Sequence, residues 1–202
     1  GTTILAEVPE MFGAETQLMD RAKDKATFDK TVSLINDFKA YFQSYHMPIY
    51  DNLSPENKAG GITTLEDKSN GCVQKSGSAE VADVLKYGER LHTKGLNLLS
   101  TPGNDLVAAT DEAAAGCQMV LFTTGRGTPF ATAVPTVKIS TNTPLAEKKA
   151  NWIDLNAGKA LEDDKSIETV SEDLYDLVIR IASGELCKSE SNGFHDIAIF
   201  KQ

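Results

Sequence analysis

Cysteine is scarce in this chain of 202 residues, which contains only Cys72, Cys117 and Cys187. The three lie far apart and form no Cys-x-x-Cys pair, and an odd, sparse set argues against a disulfide framework. We therefore expect a reducing, cytoplasmic environment. Cys117 opens an apolar segment and is predicted to be an inert core thiol, while no role is predicted for Cys187.

Basic residues are outnumbered, with 20 Lys and Arg against 29 Asp and Glu and a formal net charge of −9. Nucleic-acid binding needs a basic stripe, and none is visible. The sequence also lacks an apolar run of about 18 residues, so no membrane span is predicted. The three histidines, His46, His92 and His195, lack metal-ligand spacing. An acidic ligand would have to be bound by positive groups concentrated in one place.

Apolar residues are plentiful, at 41% of the sequence, which is enough to fill a core. The length suits one domain, so residues 1–202 are predicted to form a single domain. The chain begins at Gly1 and enters a strand-like run at residue 2. Because natural chains usually begin with Met and a few loose residues, we expect a piece of a longer protein.

Short apolar strands alternate with helical patterns along the chain, which predicts an α/β fold with a mostly parallel sheet and helices on both faces. The strands are predicted at 2–7, 95–99, 118–122, 136–140, 152–155 and 196–200. The helices are predicted at 14–22, 28–45, 80–86, 106–115 and 167–182. Ligands bind beyond the carboxyl ends of such strands, which directs attention to the turn after Glu7 and to the loops after Phe122 and Ser140.

The loop at 123–129 reads Thr-Thr-Gly-Arg-Gly-Thr-Pro and directly follows a predicted strand. Two glycines let the backbone approach a ligand, and Arg126 offers a fork for a carboxylate or phosphate. The spacing is neither that of a Walker A loop nor Gly-x-Gly-x-x-Gly. The alternative is a tight turn with a surface arginine. The candidate ligand-binding residues are Thr124, Gly125, Arg126, Gly127 and Thr128.

Two polar residues accompany the next predicted strand. Lys138 alternates with Val137 and Ile139, so it points either into a ligand cleft or into solvent. Asn142 lies just past the strand end, where it could bind a hydroxyl group or cap the following segment.

Residues 51–78 form a long, polar, glycine-rich segment, and long loops in compact domains are usually functional or disordered. Lys68 and Lys75 are candidate acid–base groups, and Glu66 and Cys72 are candidate metal ligands. Glu15 lies just after a strand-end turn and could face the same cleft. The alternative for each is a solvated face without function.

Taken together, these motifs resemble the altronate and galactarate dehydratase family. The resemblance covers essentially the whole chain, and the details at 62–66 and 87–90 favour the altronate side of the family. It implies a Rossmann-like C-terminal domain of a longer lyase, one that removes water from a hexonic acid to give a 2-keto-3-deoxy sugar acid. We therefore expect part of the active site to lie in sequence outside this chain. The matching segments are 7–15, 52–75, 94–99, 102–105, 122–129 and 134–142.

The resemblance also implies a divalent metal, Fe²⁺ or alternatively Mn²⁺, for which Glu66, Cys72 and Glu15 are the proposed ligands. Arg126 and the backbone N–H groups of Gly125 and Gly127 are expected to hold the substrate carboxylate. Further substrate contacts are expected from Thr124, Thr128, Lys138 and Asn142, and Lys68 or Lys75 is the expected base.

Three alternatives remain open at this stage: dehydration of galactarate, a sulfo-lyase acting on sulfolactate, and a sugar-acid-binding domain without catalysis. For the full-length enzyme we expect a homo-oligomer that binds a small sugar acid.

Overall fold

The computed structural model describes residues 1–49, 55–162 and 165–201. The chain divides into two compact units, one formed by 1–116 with 199–201 and the other by 117–198. Every strand pairing in both units is parallel. The predicted α/β class with parallel strands is confirmed and is consistent with a Rossmann-like three-layer fold. The single domain over 1–202 stays a prediction.

The first unit contains a three-stranded sheet in the order β1-β3-β2. Its strands are β1 (Thr3–Leu5), β2 (Val81–Leu85) and β3 (Leu96–Leu99). Its helices are a 3₁₀ helix at Val8–Met11, α1 (Thr16–Met19), α2 (Lys25–Ser44), α3 (Pro55–Ala59), α4 (Leu65–Gln74) and α5 (Asp105–Ala115).

Helix α2 supplies one side of the core of this unit. It begins where the Asp24 carboxylate accepts a hydrogen bond from the Thr27 N–H at 2.8 Å, an N-cap that satisfies a free backbone donor. Leu34, Ile35 and Phe38 on its apolar face are buried in a cluster with Leu98 of β3. The sheet is therefore covered by an apolar face of α2.

The second unit contains a sheet in the order β4-β5-β6. Its strands are β4 (Val120–Thr124), β5 (Thr136–Ser140) and β6 (Leu155–Asn156). Its helices are α6 (Thr143–Lys148), a 3₁₀ helix at Ala157–Leu161, α7 (Ile167–Ala182) and α8 (Lys188–Ser191). Val137 and Ile139 of β5 pack with Leu177 and Ile181 of α7 and with Cys187.

Two predicted elements are wrong. Residues 80–86 are not a helix but contain β2, because Val81–Leu85 pairs in parallel with β3 and buries its apolar side chains. Residues 196–200 form no strand: the Asp196 N–H donates to the Ala131 carbonyl, and Ile197 and Ile199 are exposed.

The segment at 51–78 is more regular than its composition suggests. Residues 51–54 lie outside the described residues, but α3 and α4 occupy much of the remainder. Helix α4 begins at an N-cap in which Thr64 accepts a hydrogen bond from the Asp67 N–H. Among the helices of the described ranges, none combines the length and apolar character that a membrane span requires.

Candidate active site

The carboxyl ends of β1 and β3 are joined by hydrogen bonds just beyond the sheet. The Glu7 N–H donates to the Thr101 hydroxyl at 2.6 Å, and the Val8 N–H donates to the Thr101 carbonyl at 3.0 Å. Thr101 is fully buried. The backbone at Glu7 is therefore held in place at the edge where parallel sheets bind ligands.

Glu7 has left-handed backbone angles, with φ 67° and ψ 68°, a conformation that is unfavourable for residues with a Cβ. Its side chain is half-buried. Burial is the main cause that raises its pKa to about 8, and the neighbouring Glu10 carboxylate adds to the effect, while Lys75 lowers the pKa. At neutral pH much of Glu7 therefore carries a proton.

Glu10 lies one turn further on, in the first 3₁₀ helix, and is paired with three side chains. Its carboxylate is 3.1 Å from Lys68 Nζ and 4.0 Å from Lys75 Nζ, and it accepts a hydrogen bond from Cys72 Sγ at 2.9 Å. Burial acts to raise the pKa of Glu10, but the Cys72 thiol and the two ammonium groups outweigh it, so the net shift is downward.

Lys68, Cys72 and Lys75 are brought together by the helix that carries them. Residues spaced by four and three positions lie on one face of a helix, and all three contact Glu10 from α4 or its C-cap. Burial, reinforced by the Glu10 carboxylate, raises the pKa of the Cys72 thiol to about 12, so Cys72 is a neutral thiol here. We call Glu7, Glu10, Lys68, Cys72 and Lys75 the charged cluster.

Helix α5 adds a further carboxyl group that interacts electrostatically with the charged cluster. Burial raises the pKa of Glu112 to about 7, and Lys75 lowers it. Burial also acts to lower the pKa of Lys75, but the neighbouring Cys72, Glu10 and Glu7 outweigh it, so the net shift is upward. The Lys75 side chain is therefore held as an ammonium ion.

The three predicted metal ligands do not lie together. Glu15 accepts hydrogen bonds from the Gly13 N–H and, at 2.7 Å, from Lys39 Nζ, and Glu66 also lies against Gly13. Cys72 instead contacts Glu10. Within the described ranges, no group of three or more His, Cys, Asp or Glu side chains could hold a metal ion. The residues present thus do not fit the predicted metal by themselves.

The loop at 123–129 lies in the second unit and follows β4. The Thr124 hydroxyl accepts a hydrogen bond from the Gly127 N–H at 2.9 Å, so this donor is used within the loop. Asn142 donates to the Gly125 carbonyl at 3.0 Å and caps α6 through the Leu145 N–H. Capping, the alternative left open for Asn142, is thus what the structure shows, while the Arg126 side chain is exposed.

Lys138 is neither solvated nor open to a cleft, because only 1% of it is exposed. Its ammonium group donates to the carbonyls of Thr128 and Phe130. It also lies 5.2 Å from the centre of the Phe122 ring and 4.4 Å from that of Phe130. Lys138 therefore holds the end of the loop against β4 and β5.

Sequence reasoning missed Glu7, Glu10 and Glu112 as members of a site. Their position in the chain could have indicated Glu7 and Glu10, because both lie in the turn that follows the carboxyl end of β1. The burial that shifts the pKa values of Glu7 and Glu112 depends on packing and has no signature in the local sequence.

The chain is similar to several curated proteins along its whole length. It is 62% identical over 201 residues to an altronate dehydratase from Bacillus subtilis (strain 168) and 59% identical over 201 residues to one from Escherichia coli (strain K12). It is 33% identical over 202 residues to a galactarate dehydratase (L-threo-forming) from Escherichia coli (strain K12).

These alignments cover 100%, 100% and 98% of this chain but only 40%, 40% and 39% of the relatives, so the chain spans about two fifths of their length. The family described as D-galactarate/Altronate dehydratase, C-terminal, matches residues 1–202. The chain therefore belongs to the C-terminal domain family of the D-galactarate and altronate dehydratases.

Proposed function

We propose that this chain is the C-terminal part of a hydro-lyase that converts D-altronate to 2-keto-3-deoxy-D-gluconate. The observation that carries the proposal is the charged cluster, which lies at the carboxyl edge of a parallel sheet. The relatives support altronate as the substrate, since identity is 62% and 59% to altronate dehydratases but 33% to a galactarate dehydratase.

Dehydration next to a carboxylate needs a base for the C2 proton, positive charge near the enediolate that forms, and an acid for the departing hydroxide. Lys68 and Lys75 remain our proposed catalytic residues. Because the pKa of Lys75 is raised, we assign its ammonium group to stabilising negative charge rather than to removing a proton.

The loop at 123–129 is proposed separately as an anion-binding element of the second unit. Its Arg126 guanidinium has two parallel donors that match a carboxylate. Thr124, Lys138 and Asn142 are proposed to support this function by fixing the loop, since each donates or accepts a hydrogen bond within it. Thr128 and Gly125 stay proposed contacts to the ligand, whereas the predicted Gly127 donor is already used by the Thr124 hydroxyl.

A requirement for Fe²⁺ or Mn²⁺ also stays a proposal, and no chemical step is assigned to the metal, because the described residues supply no complete ligand set. The cytoplasmic location and the homo-oligomeric state of the full-length enzyme likewise remain predictions.

The test uses the full-length protein that contains this chain, incubated with D-altronate, Fe²⁺ and a reductant. We expect 2-keto-3-deoxygluconate from D-altronate and little product from galactarate or sulfolactate in parallel reactions. Product from galactarate or sulfolactate instead would reassign the substrate. Calorimetric binding of D-altronate without any keto acid would favour a binding domain and contradict the proposed lyase.

A further inference from the structure

We infer that Glu7 is the catalytic residue that removes the C2 proton of the substrate and returns it to the departing C3 hydroxyl. This inference rests on the proposed function and names a residue for its central step. It is carried by the placement and contacts of Glu7 within the first unit.

Glu7 follows β1 at the carboxyl edge of the sheet. Its own N–H and that of Val8 donate hydrogen bonds to Thr101, which fix the backbone against the end of β3. A base must be held rigidly near the reacting carbon. Glu7 is held by main-chain contacts that leave its carboxyl group uninvolved.

The two glutamates of the charged cluster differ in their partners. Glu10 is engaged by Lys68, Cys72 and Lys75. Among the described residues, no side chain forms a hydrogen bond or ion pair with the Glu7 carboxyl group. Glu7 is therefore the glutamate of the charged cluster whose carboxyl group is available to react.

The charged groups that act on Glu7 are Glu10 from the 3₁₀ helix, Lys75 from the end of α4, and Asp105 and Glu112 from α5. Three of these four are acidic, and burial is the largest influence. Together they raise the pKa of Glu7 to about 8, close to the operating range that suits a catalytic base.

The backbone of Glu7 adopts an unfavourable conformation. Glu7 and His46, with φ 67° and 56°, are the non-glycine residues of the described ranges with positive φ. Such a conformation costs free energy and persists where the surrounding structure imposes it. A half-buried, unpaired and conformationally strained glutamate contributes nothing evident to stability, which is typical of a residue that serves chemistry.

The proposed reaction requires only the substrate and the Glu7 carboxylate to transfer its proton and electrons. The Glu7 carboxylate takes the C2 proton, and the C2–H electron pair enters the enediolate. The same proton then passes to the C3 hydroxyl as the C3–O bond breaks and water leaves. The remaining enol tautomerises to the 2-keto-3-deoxy acid, and Glu7 returns to its carboxylate form.

The test compares Glu7→Gln, Glu7→Gly and His46→Gly in the full-length protein. Glu7→Gln is expected to lower kcat with D-altronate on the order of 10²- to 10⁴-fold, and to stop exchange of the C2 hydrogen with solvent. Glu7→Gly is expected to lose activity equally without lowering the unfolding temperature, since glycine accepts positive φ. His46→Gly relieves the same kind of strain and is expected to keep full activity.

The pH profile supplies a second measurement. For the wild type, kcat/KM is expected to rise with pH through a limb near 8, and Lys75→Met is expected to move that limb to higher pH because Lys75 lowers the pKa of Glu7. Wild-type rates and C2 exchange in Glu7→Gln would overturn the inference while leaving the lyase intact. A wild type that forms no keto acid would overturn both the proposed function and this inference.

Discussion

At the scale of single residues, Lys138 and Lys188 make similar hydrogen bonds in different surroundings. The ammonium group of Lys138 donates to the carbonyls of Thr128 and Phe130, and that of Lys188 donates to those of Ala150 and Ile153. Lys138 is 1% exposed, whereas Lys188 is half-buried. The two lysines therefore form a natural comparison of buried and partly solvated donors.

We predict that Lys138→Met lowers the free energy of unfolding by about 1–3 kcal/mol, because two partly buried carbonyls lose a donor that is itself buried. Lys188→Met is the matched control and is expected to cost less, since Lys188 is half-buried and its hydrogen bond to the Ala150 carbonyl is exposed. Urea unfolding followed by the fluorescence of Trp152, in the same unit, measures both. Equal losses in the two variants would contradict the argument from burial.

A second residue-scale prediction concerns Arg126. Arg126→Lys keeps the charge but loses the bidentate fork, so we expect a loss of transition-state stabilisation of about 2–4 kcal/mol in kcat/KM of the full-length protein. Arg180→Lys is the control, because this exposed arginine forms a surface ion pair with Glu185 at 2.8 Å. Unchanged kinetics for Arg126→Lys would remove this side chain from the ligand site.

At the scale of elements, the second 3₁₀ helix packs very closely against the start of α6. A Cβ placed on Gly158 would lie 2.5 Å from the Thr143 backbone nitrogen and 2.6 Å from Asn142 Cα. Both neighbours are main chain and are fixed by the cap of α6. Only glycine permits this approach between the two elements.

We predict that Gly158→Ala destabilises the second unit by about 1–3 kcal/mol, the usual cost of overpacking. Gly71→Ala is the matched control, since Gly71 lies inside α4 with no heavy atom within 4 Å of the added Cβ. It is expected to stabilise the protein by about 0.5–1 kcal/mol through helix propensity. Thermal unfolding of both variants checks the prediction, and a neutral Gly158→Ala would show that α6 can move.

At the scale of the whole molecule, stability is linked to pH through the carboxyl groups that burial keeps protonated. The pKa of Glu7 is raised to about 8 and that of Glu112 to about 7, above the ordinary value near 4.5. At pH values between the ordinary pKa and the raised pKa of each group, the folded state binds more protons than the unfolded state. Ionisation of these two buried carboxyl groups therefore costs stability, which is highest at low pH and falls as pH rises toward 8.

We predict that the unfolding temperature of the wild type falls between pH 6 and pH 9, and that Glu7→Gln makes this decline shallower. Glu10, whose pKa is lowered, has the opposite effect on stability. Its charged carboxylate stabilises the folded state at neutral pH, and this stability is lost at acidic pH, as the pH falls below the ordinary pKa of a glutamate. Calorimetric scans across this pH range measure how steeply the unfolding temperature changes with pH in the wild type and in Glu7→Gln. Identical slopes in the two proteins would contradict the link to Glu7.

Local patterns predicted much of the fold, since hydrophobic periodicity is a property of neighbouring residues. The helix at Ile167–Ala182 and the strand at Thr136–Ser140 are confirmed with the predicted bounds. The helix predicted at 80–86 is wrong because a short apolar run is compatible with either state, and pairing with β3 decides between them. The long loop predicted at 51–78 instead contains α3 and α4, and only the helix at Leu65–Gln74 places Lys68, Cys72 and Lys75 on one face.

The sequence by itself therefore determined the α/β class and the helices at Lys25–Ser44, Asp105–Ala115 and Ile167–Ala182. Only the tertiary structure decided that Glu10 meets Cys72 across 62 positions of the chain, that Lys138 is buried, and that Glu7 is held in a strained conformation. The physical reason is that burial and the distance between charges arise from packing, and these two quantities set the protonation states on which the proposed chemistry depends.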